Sequence, residues 1–144
     1  SMNPVLNSKS PEPCDWVVLV VDDTPDNLSI AETVLSFSGA KVHTARNGAE
    51  GLAVLERIRP TVILLDIRMP TMDGWEMYRL VRGKPETQSI PIIALTAYAM
   101  TGDKQQILSA GFDGYIAKPY EVFSLIPQIR AVLEASAAKS GQSA

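Results

Sequence analysis

Five short apolar runs, separated by longer stretches in which apolar residues recur at helical spacing, constrain this chain more than any other feature. The runs at residues 16–21, 62–65 and 90–95 carry almost no polar side chain, the pattern of strands buried on both faces. Weaker strand signals lie at 41–44 and 114–117. Parallel neighbours need a crossover connection and a helix supplies it, so such alternation predicts an α/β fold with helices packed on a parallel sheet. Helix starts are marked where the crossovers should begin. Thr24 precedes Pro25, and Asn47 with Glu50 and Asp73 with Glu76 stand at capping-box spacing. Val122, Leu125, Ile126, Ile129, Val132 and Leu133 fall on one stripe of a last helix, predicted to pack on the sheet. The reading is five β/α units.

A chain of 144 residues suits one domain with one core. Residues 1–15 are polar, carry Pro4, Pro11 and Pro13, and show no apolar period, so they are predicted to be a disordered leader. The domain is then 16–135, and the Ala-, Ser- and Gly-rich stretch 136–144 reads as a disordered tail or the start of a linker. No apolar run approaches the roughly 20 residues that span a bilayer, and no signal-peptide pattern opens the chain. The expectation is a soluble, cytoplasmic protein without membrane insertion. A net charge of −3 argues against direct nucleic-acid contact.

In an open parallel sheet, ligands sit beyond the carboxyl ends of the strands. Asp22 and Asp23 follow the first predicted strand, Asp66 the third, Thr96 the fourth, and Lys118 with Pro119 the fifth. Three carboxylates meeting at one edge repel one another, and a divalent cation is their natural neutraliser. Mg²⁺ fits an all-oxygen set of this kind. Zinc is not supported, because His43 is the only histidine and Cys14, the only cysteine, lies in the leader. Carboxylates, a metal, a lysine and a hydroxyl together are the equipment of phosphoryl transfer, with Asp66 as the nucleophile that forms a labile acyl phosphate. Structural alternatives stand beside this reading. Asp22 and Asp23 equally suit the positive end of the following helix, Lys118 could serve as an ion-pair partner for Asp66, and Asp73-Gly74 suits a helix cap. Trp75 is open between packing in a helix surface and facing a partner, and Tyr98, just after Thr96, could narrow access to the site.

Four segments carry a resemblance to a known family: Val20-Val21-Asp22-Asp23, Leu64-Leu65-Asp66-Ile67-Arg68-Met69-Pro70-Thr71-Met72-Asp73-Gly74, Ala94-Leu95-Thr96-Ala97 and Lys118-Pro119. In this order they resemble the response-regulator receivers of two-component signalling, over about 16–133, and the stretch 96–103 is closer to receivers of hybrid histidine kinases and single-domain relay receivers than to those of DNA-binding regulators. The resemblance implies a flavodoxin-like (βα)5 fold: a five-stranded parallel sheet in strand order 2-1-3-4-5 with helices on both faces. It implies Asp66 as phosphoacceptor, and Mg²⁺ held by Asp22, Asp23, Asp66 and the backbone carbonyl of Arg68. Thr96, the Ala97 amide and Lys118 would contact the phosphoryl group, with Thr96 and Tyr115 as switch residues. The implied donor is a histidine kinase or histidine phosphotransfer protein, and an unidentified downstream protein would read the fourth helix, fifth strand and fifth helix. Such a chain modifies itself and is not a conventional enzyme. An interaction-only receiver would lack one of the acid, Thr or Lys positions, and a small-molecule phosphohydrolase would need a cap for which this chain has no room.

Overall fold

The computed structural model describes residues 11–69, 73–97 and 101–143. Residues 1–10 of the leader, Pro70, Thr71 and Met72 of the second motif, and Tyr98 lie outside the described residues. Strands β1 (Val17–Val21), β2 (Lys41–Ala45), β3 (Val62–Asp66), β4 (Ile92–Thr96) and β5 (Gly114–Ala117) alternate with helices α1 (Pro25–Phe37), α2 (Gly48–Leu55), α3 (Gly74–Arg82), α4 (Thr101–Ser109) and α5 (Val122–Ser143). All strand pairs are parallel, in the order β2-β1-β3-β4-β5. The expected fold class and strand order are therefore present.

Alternation along the central strands divides the core into two layers. On one face Leu19, Val21, Ile63, Leu65, Ile92 and Ala94 pack with Val54 of α2, Met77 and Val81 of α3 and Ile107 of α4. On the other, Val18, Val20, Val62, Leu64, Ile93 and Leu95 pack with Leu28, Ala31 and Leu35 of α1 and Leu125, Ile129 and Leu133 of α5. Within the predicted stripe of the last helix, Val122 is the exception: it is exposed, at the first turn of the helix. Trp75 resolves as packing, its ring edge-on to Phe112 at 5.3 Å and to Tyr78 at 6.5 Å.

Caps set the element boundaries. Asn47 Oδ1 accepts from the Glu50 amide and Asp73 Oδ1 from the Glu76 amide, each at 2.9 Å. The Glu50 carboxylate does not close a capping box on Asn47; it accepts from the Arg46 amide at 2.8 Å and the Arg46 guanidinium at 3.0 Å. Thr24 precedes Pro25 as expected but caps without a side-chain hydrogen bond. Helix α1 ends at Gly39, φ +99°, with Gly39 N–H donating to Ser36 O and Ala40 N–H to Leu35 O, the paired bonds of a Schellman turn. Strand β4 starts later than the apolar run 90–95 suggested, because Pro91 has no N–H to donate to the ladder.

Both ends of the domain are more ordered than the sequence reading allowed. Pro13–Asp15 form a 3-10 turn, and the fully buried Trp16 donates its indole N–H to Pro11 O at 2.9 Å. Burial of that indole draws the preceding residues onto the sheet, so 11–15 is structured where a disordered leader was expected. At the other end α5 continues to Ser143, through the expected tail, since Ala, Ser, Glu and Lys sustain a helix where no glycine intervenes before Gly141.

The tightest fit lies where α3 begins against β3. A Cβ on Gly74 would stand 2.3 Å from the Asp66 carbonyl oxygen and 2.5 Å from Ile67 Cα, contacts no rotamer can relieve. Gly74→Ala is expected to lower stability by about 1–3 kcal/mol, as overpacking of backbone against backbone does. A shift of the urea midpoint at unchanged slope is the corresponding observation.

Candidate functional site

Parallel register brings the motif residues to one edge. Val21 is level with Leu65, Asp66 with Leu95, and Thr96 with Ala117, so Asp22, Asp66, Thr96 and Lys118 all leave their strands at the same end of the sheet. Asp22, Asp66 and Thr96 are buried, while Asp23 and Ala97 are exposed.

Asp22 and Asp66 are held in the same way. Asp22 Oδ1 accepts from the Thr24 amide at 2.9 Å and Asp66 Oδ1 from the Arg68 amide at 3.0 Å, each a turn closed two residues on. That leaves Oδ2 of each carboxylate for Lys118, whose Nζ lies 3.1 Å from Asp66 and 3.3 Å from Asp22. Lys118 comes off β5, joined to Pro119 by a cis peptide bond.

One carboxylate oxygen from each of Asp22, Asp23 and Asp66 can be chosen so that all lie within 4.8 Å of one another. Opposite ligands of a Mg²⁺ ion at 2.1 Å are about 4.2 Å apart, so a small closure, or a bridging water, completes such a site. The donors are all hard oxygens, and three carboxylates face one ammonium, leaving negative charge in excess. The residues present therefore fit Mg²⁺, and no thiol or imidazole joins them to suit zinc.

Burial pushes the Asp66 carboxyl up to about 6; the Arg68 amide and the Lys118 charge pull against it, and the Asp22 charge adds to it. For Lys118 burial acts downward, but the charges and hydrogen bonds of Asp66 and Asp22 outweigh it and hold the ammonium above its ordinary pKa.

The sequence reading missed Tyr120. Its hydroxyl donates to Asp22 Oδ2 at 2.9 Å, and burial, then the charge of Asp22 and the hydrogen bond to it, push the phenol well above its ordinary pKa. The signal was present: a polar-tipped aromatic two positions beyond Lys118 at a strand end within reach of two acids. Tyr115, by contrast, stands back from the edge, level with Ala94 and half-buried on the face that carries α2, α3 and α4. By alternation from Ala94, Thr96 belongs to that same face on the neighbouring strand. The Lys104 ammonium lies 5.1 Å from the centre of the Tyr115 ring.

Such a fold, a 2-1-3-4-5 parallel sheet with an acidic cluster beyond the carboxyl ends of its strands, defines a flavodoxin-like α/β domain with its ligand edge at that end. Residues 18–130 match the response regulator receiver domain family, and the chain belongs to it. It is 35% identical over 116 residues to the polar-differentiation response regulator DivK of Brucella anthropi, covering 81% of this chain and 94% of that one. Among solved structures it is similar to the chemotaxis response regulator CheY4 of Vibrio cholerae, with TM-score 0.76, 33% identity, and 81% and 97% of the two chains covered. It is also similar to the receiver domain of the sensor histidine kinase PA1611 of Pseudomonas aeruginosa, a structure with a magnesium ion coordinated in the active site cleft, with TM-score 0.73, 34% identity, and 83% and 98% covered. Receivers are signalling domains that bind Mg²⁺ at an acidic pocket and interact with histidine kinases or phosphotransfer proteins. Among the described residues no helix is long and apolar enough to cross a membrane.

A carboxyl whose pKa is raised on folding favours the folded state below its unfolded pKa, near 3.8, and opposes it once pH rises through about 6. Asp66→Asn is therefore expected to stabilise the metal-free protein at neutral pH, by on the order of 2 kcal/mol, with the gain vanishing below about pH 4. Urea denaturation in chelator at both pH values measures it, and equal gains at both would contradict the assignment.

Proposed function

We propose that the chain is the phosphoacceptor module of a two-component phosphorelay, in which Asp66 takes a phosphoryl group from the phosphohistidine of a histidine kinase or histidine phosphotransfer protein. The observation that carries this reading is Asp66 itself: a carboxylate 2% exposed at the end of a central apolar strand, faced by two more acids and 3.1 Å from one lysine. A carboxylate in that setting is costly to keep ionised without a task. An Asp66 oxygen forms the new bond to phosphorus, the phosphorus–nitrogen bond of the donor breaks, and its electron pair remains on the imidazole, which takes up a proton.

Asp23, Asp66 and the Arg68 backbone carbonyl would hold Mg²⁺, with Asp22 as the partner of Asp23 at the same site. Bound Mg²⁺ supplies the positive charge that lets acids and phosphoryl oxygens approach one another. Lys118 holds one phosphoryl oxygen with its ammonium, and the Thr96 hydroxyl and Ala97 amide donate to another. Drawing Thr96 toward the phosphoryl group vacates space on the face it shares with Tyr115, the ring moves in, and the surface of α4, β5 and α5 changes for a downstream protein to read. Transfer is catalysed by the chain's own site, and slow hydrolysis of the acyl phosphate resets it. A phosphohistidine donor of this kind is charged from ATP, which supports a cytoplasmic role, and the acidic balance of the chain argues against direct contact with nucleic acid.

Incubation with acetyl phosphate and Mg²⁺ is expected to add about one phosphoryl group by intact mass, labile to hydroxylamine, as an acyl phosphate is. Chelator or Asp66→Asn should abolish the gain. A folded, Mg²⁺-supplied chain that gains no mass from acetyl phosphate or from a phosphohistidine donor would instead be an interaction-only receiver.

A further inference from the structure

Asp22 is completely buried, and both of its oxygens are already engaged: Oδ1 by the Thr24 amide, and Oδ2 by Tyr120 at 2.9 Å and Lys118 at 3.3 Å. A carboxylate oxygen offers two lone-pair directions, so these two donors fill Oδ2. The bonds are unequal. An ammonium in a good hydrogen bond to a carboxylate sits at about 2.7–2.9 Å; Lys118 is farther than that from both acids, at 3.3 Å from Asp22 and 3.1 Å from Asp66, with the shorter contact to Asp66. The short bond on Asp22 Oδ2 is the one from the neutral phenol, whose ring is anchored in the layer carrying α1 and α5.

We infer that Tyr120 is a positioning residue, which satisfies the buried Asp22 Oδ2 with a neutral donor and thereby leaves the Lys118 ammonium biased toward Asp66. This rests on the phosphoacceptor reading above. Without the hydroxyl, Asp22 Oδ2 is a buried anionic oxygen short of one donor, and the donor already in reach on a flexible stem is Lys118. Movement of Nζ toward Asp22 lengthens its contact with Asp66, the atom group that receives phosphorus. The charge of the cluster is unchanged but less well compensated, so a divalent cation is held more tightly. Transfer rate and cation affinity thus move in opposite directions, which general loosening of the site would not produce.

Tyr120→Phe keeps the ring and removes only the hydroxyl. At saturating Mg²⁺, phosphorylation by acetyl phosphate, followed by intact mass, is expected to slow about three- to tenfold, the effect of misplacing one charge-assisted hydrogen bond. The Mg²⁺ dissociation constant, from calorimetric titration of the unphosphorylated protein, is expected to fall by about two- to fivefold. In an Asp22→Asn background, where the side chain no longer attracts Lys118, Tyr120→Phe should slow transfer no further. The inference is overturned if rate and Mg²⁺ constant stay at parent values, if both worsen together, or if the hydroxyl deletion slows the Asp22→Asn protein by the same factor as the parent. If the parent chain takes no phosphoryl group at all, the phosphoacceptor reading fails by itself, and the Mg²⁺ constants decide for Tyr120: tightening sustains its role on Asp22, and an unchanged constant removes it.

Discussion

One ammonium between two buried carboxylates organises this molecule. Lys118 leaves β5, yet its partners stand at the ends of β1 and β3, with β4 between β5 and β3 in the sheet. A long stem from an outer strand can cover that separation, and a lysine can do so while keeping its charge at the far end. The strand order makes the arrangement possible, since β1 and β3 are neighbours and bring Asp22 and Asp66 out side by side. Had β1 stood elsewhere, the two acids would not share a cation. One ammonium does not neutralise three carboxylates, so Asp22, Asp23 and Asp66 with Lys118 carry a negative excess that a cation can offset.

The remainder of the fold gives that edge its rigidity. Asp22 and Asp66 each spend one oxygen on the chain that follows them, which fixes both carboxylates before any ligand arrives and directs the other oxygen of each at Lys118. Gly74 lets α3 abut the backbone of Asp66, and Asp73 caps that helix, so the start of α3 is fixed against the end of β3. Beneath them, two apolar layers with little polar content resist displacement. The fold tolerates an ionised Asp66 that by itself opposes folding at neutral pH, because the apolar layers supply the stabilisation that the edge lacks.

The architecture was legible because its signals are local. β-Branched runs marked the central strands, capping residues marked α2 and α3, and the motif order marked the edge. What escaped the sequence has separate causes, the first a contact the chain makes only once folded. Trp16 orders 11–15 only because the sheet buries its ring, and that burial is not visible in a proline-rich stretch read alone. The extension of α5 to Ser143 was hidden by a composition shared by linkers and helices. Pro91 was misread differently: it lies inside an apolar run, where a missing N–H delays the ladder without interrupting the hydrophobic pattern.

Tyr120 is the instructive omission, because motif reading stops at the residues a motif contains. A family pattern accounts for the acids and the lysine but not for how the buried oxygens of this particular edge are shared among their donors. Each oxygen must be accounted for, since an unsatisfied anionic acceptor in the interior costs more than the net gain of an ordinary hydrogen bond. When Asp22 and Asp66 are counted oxygen by oxygen, the shared ammonium is stretched between them and a neutral phenol fills the gap on one side. The balance between a charged and an uncharged donor on one carboxylate is a means of setting where an ammonium rests without changing the number of charges. It can be adjusted by a single side chain outside the four motif segments, independently of the acids and the lysine.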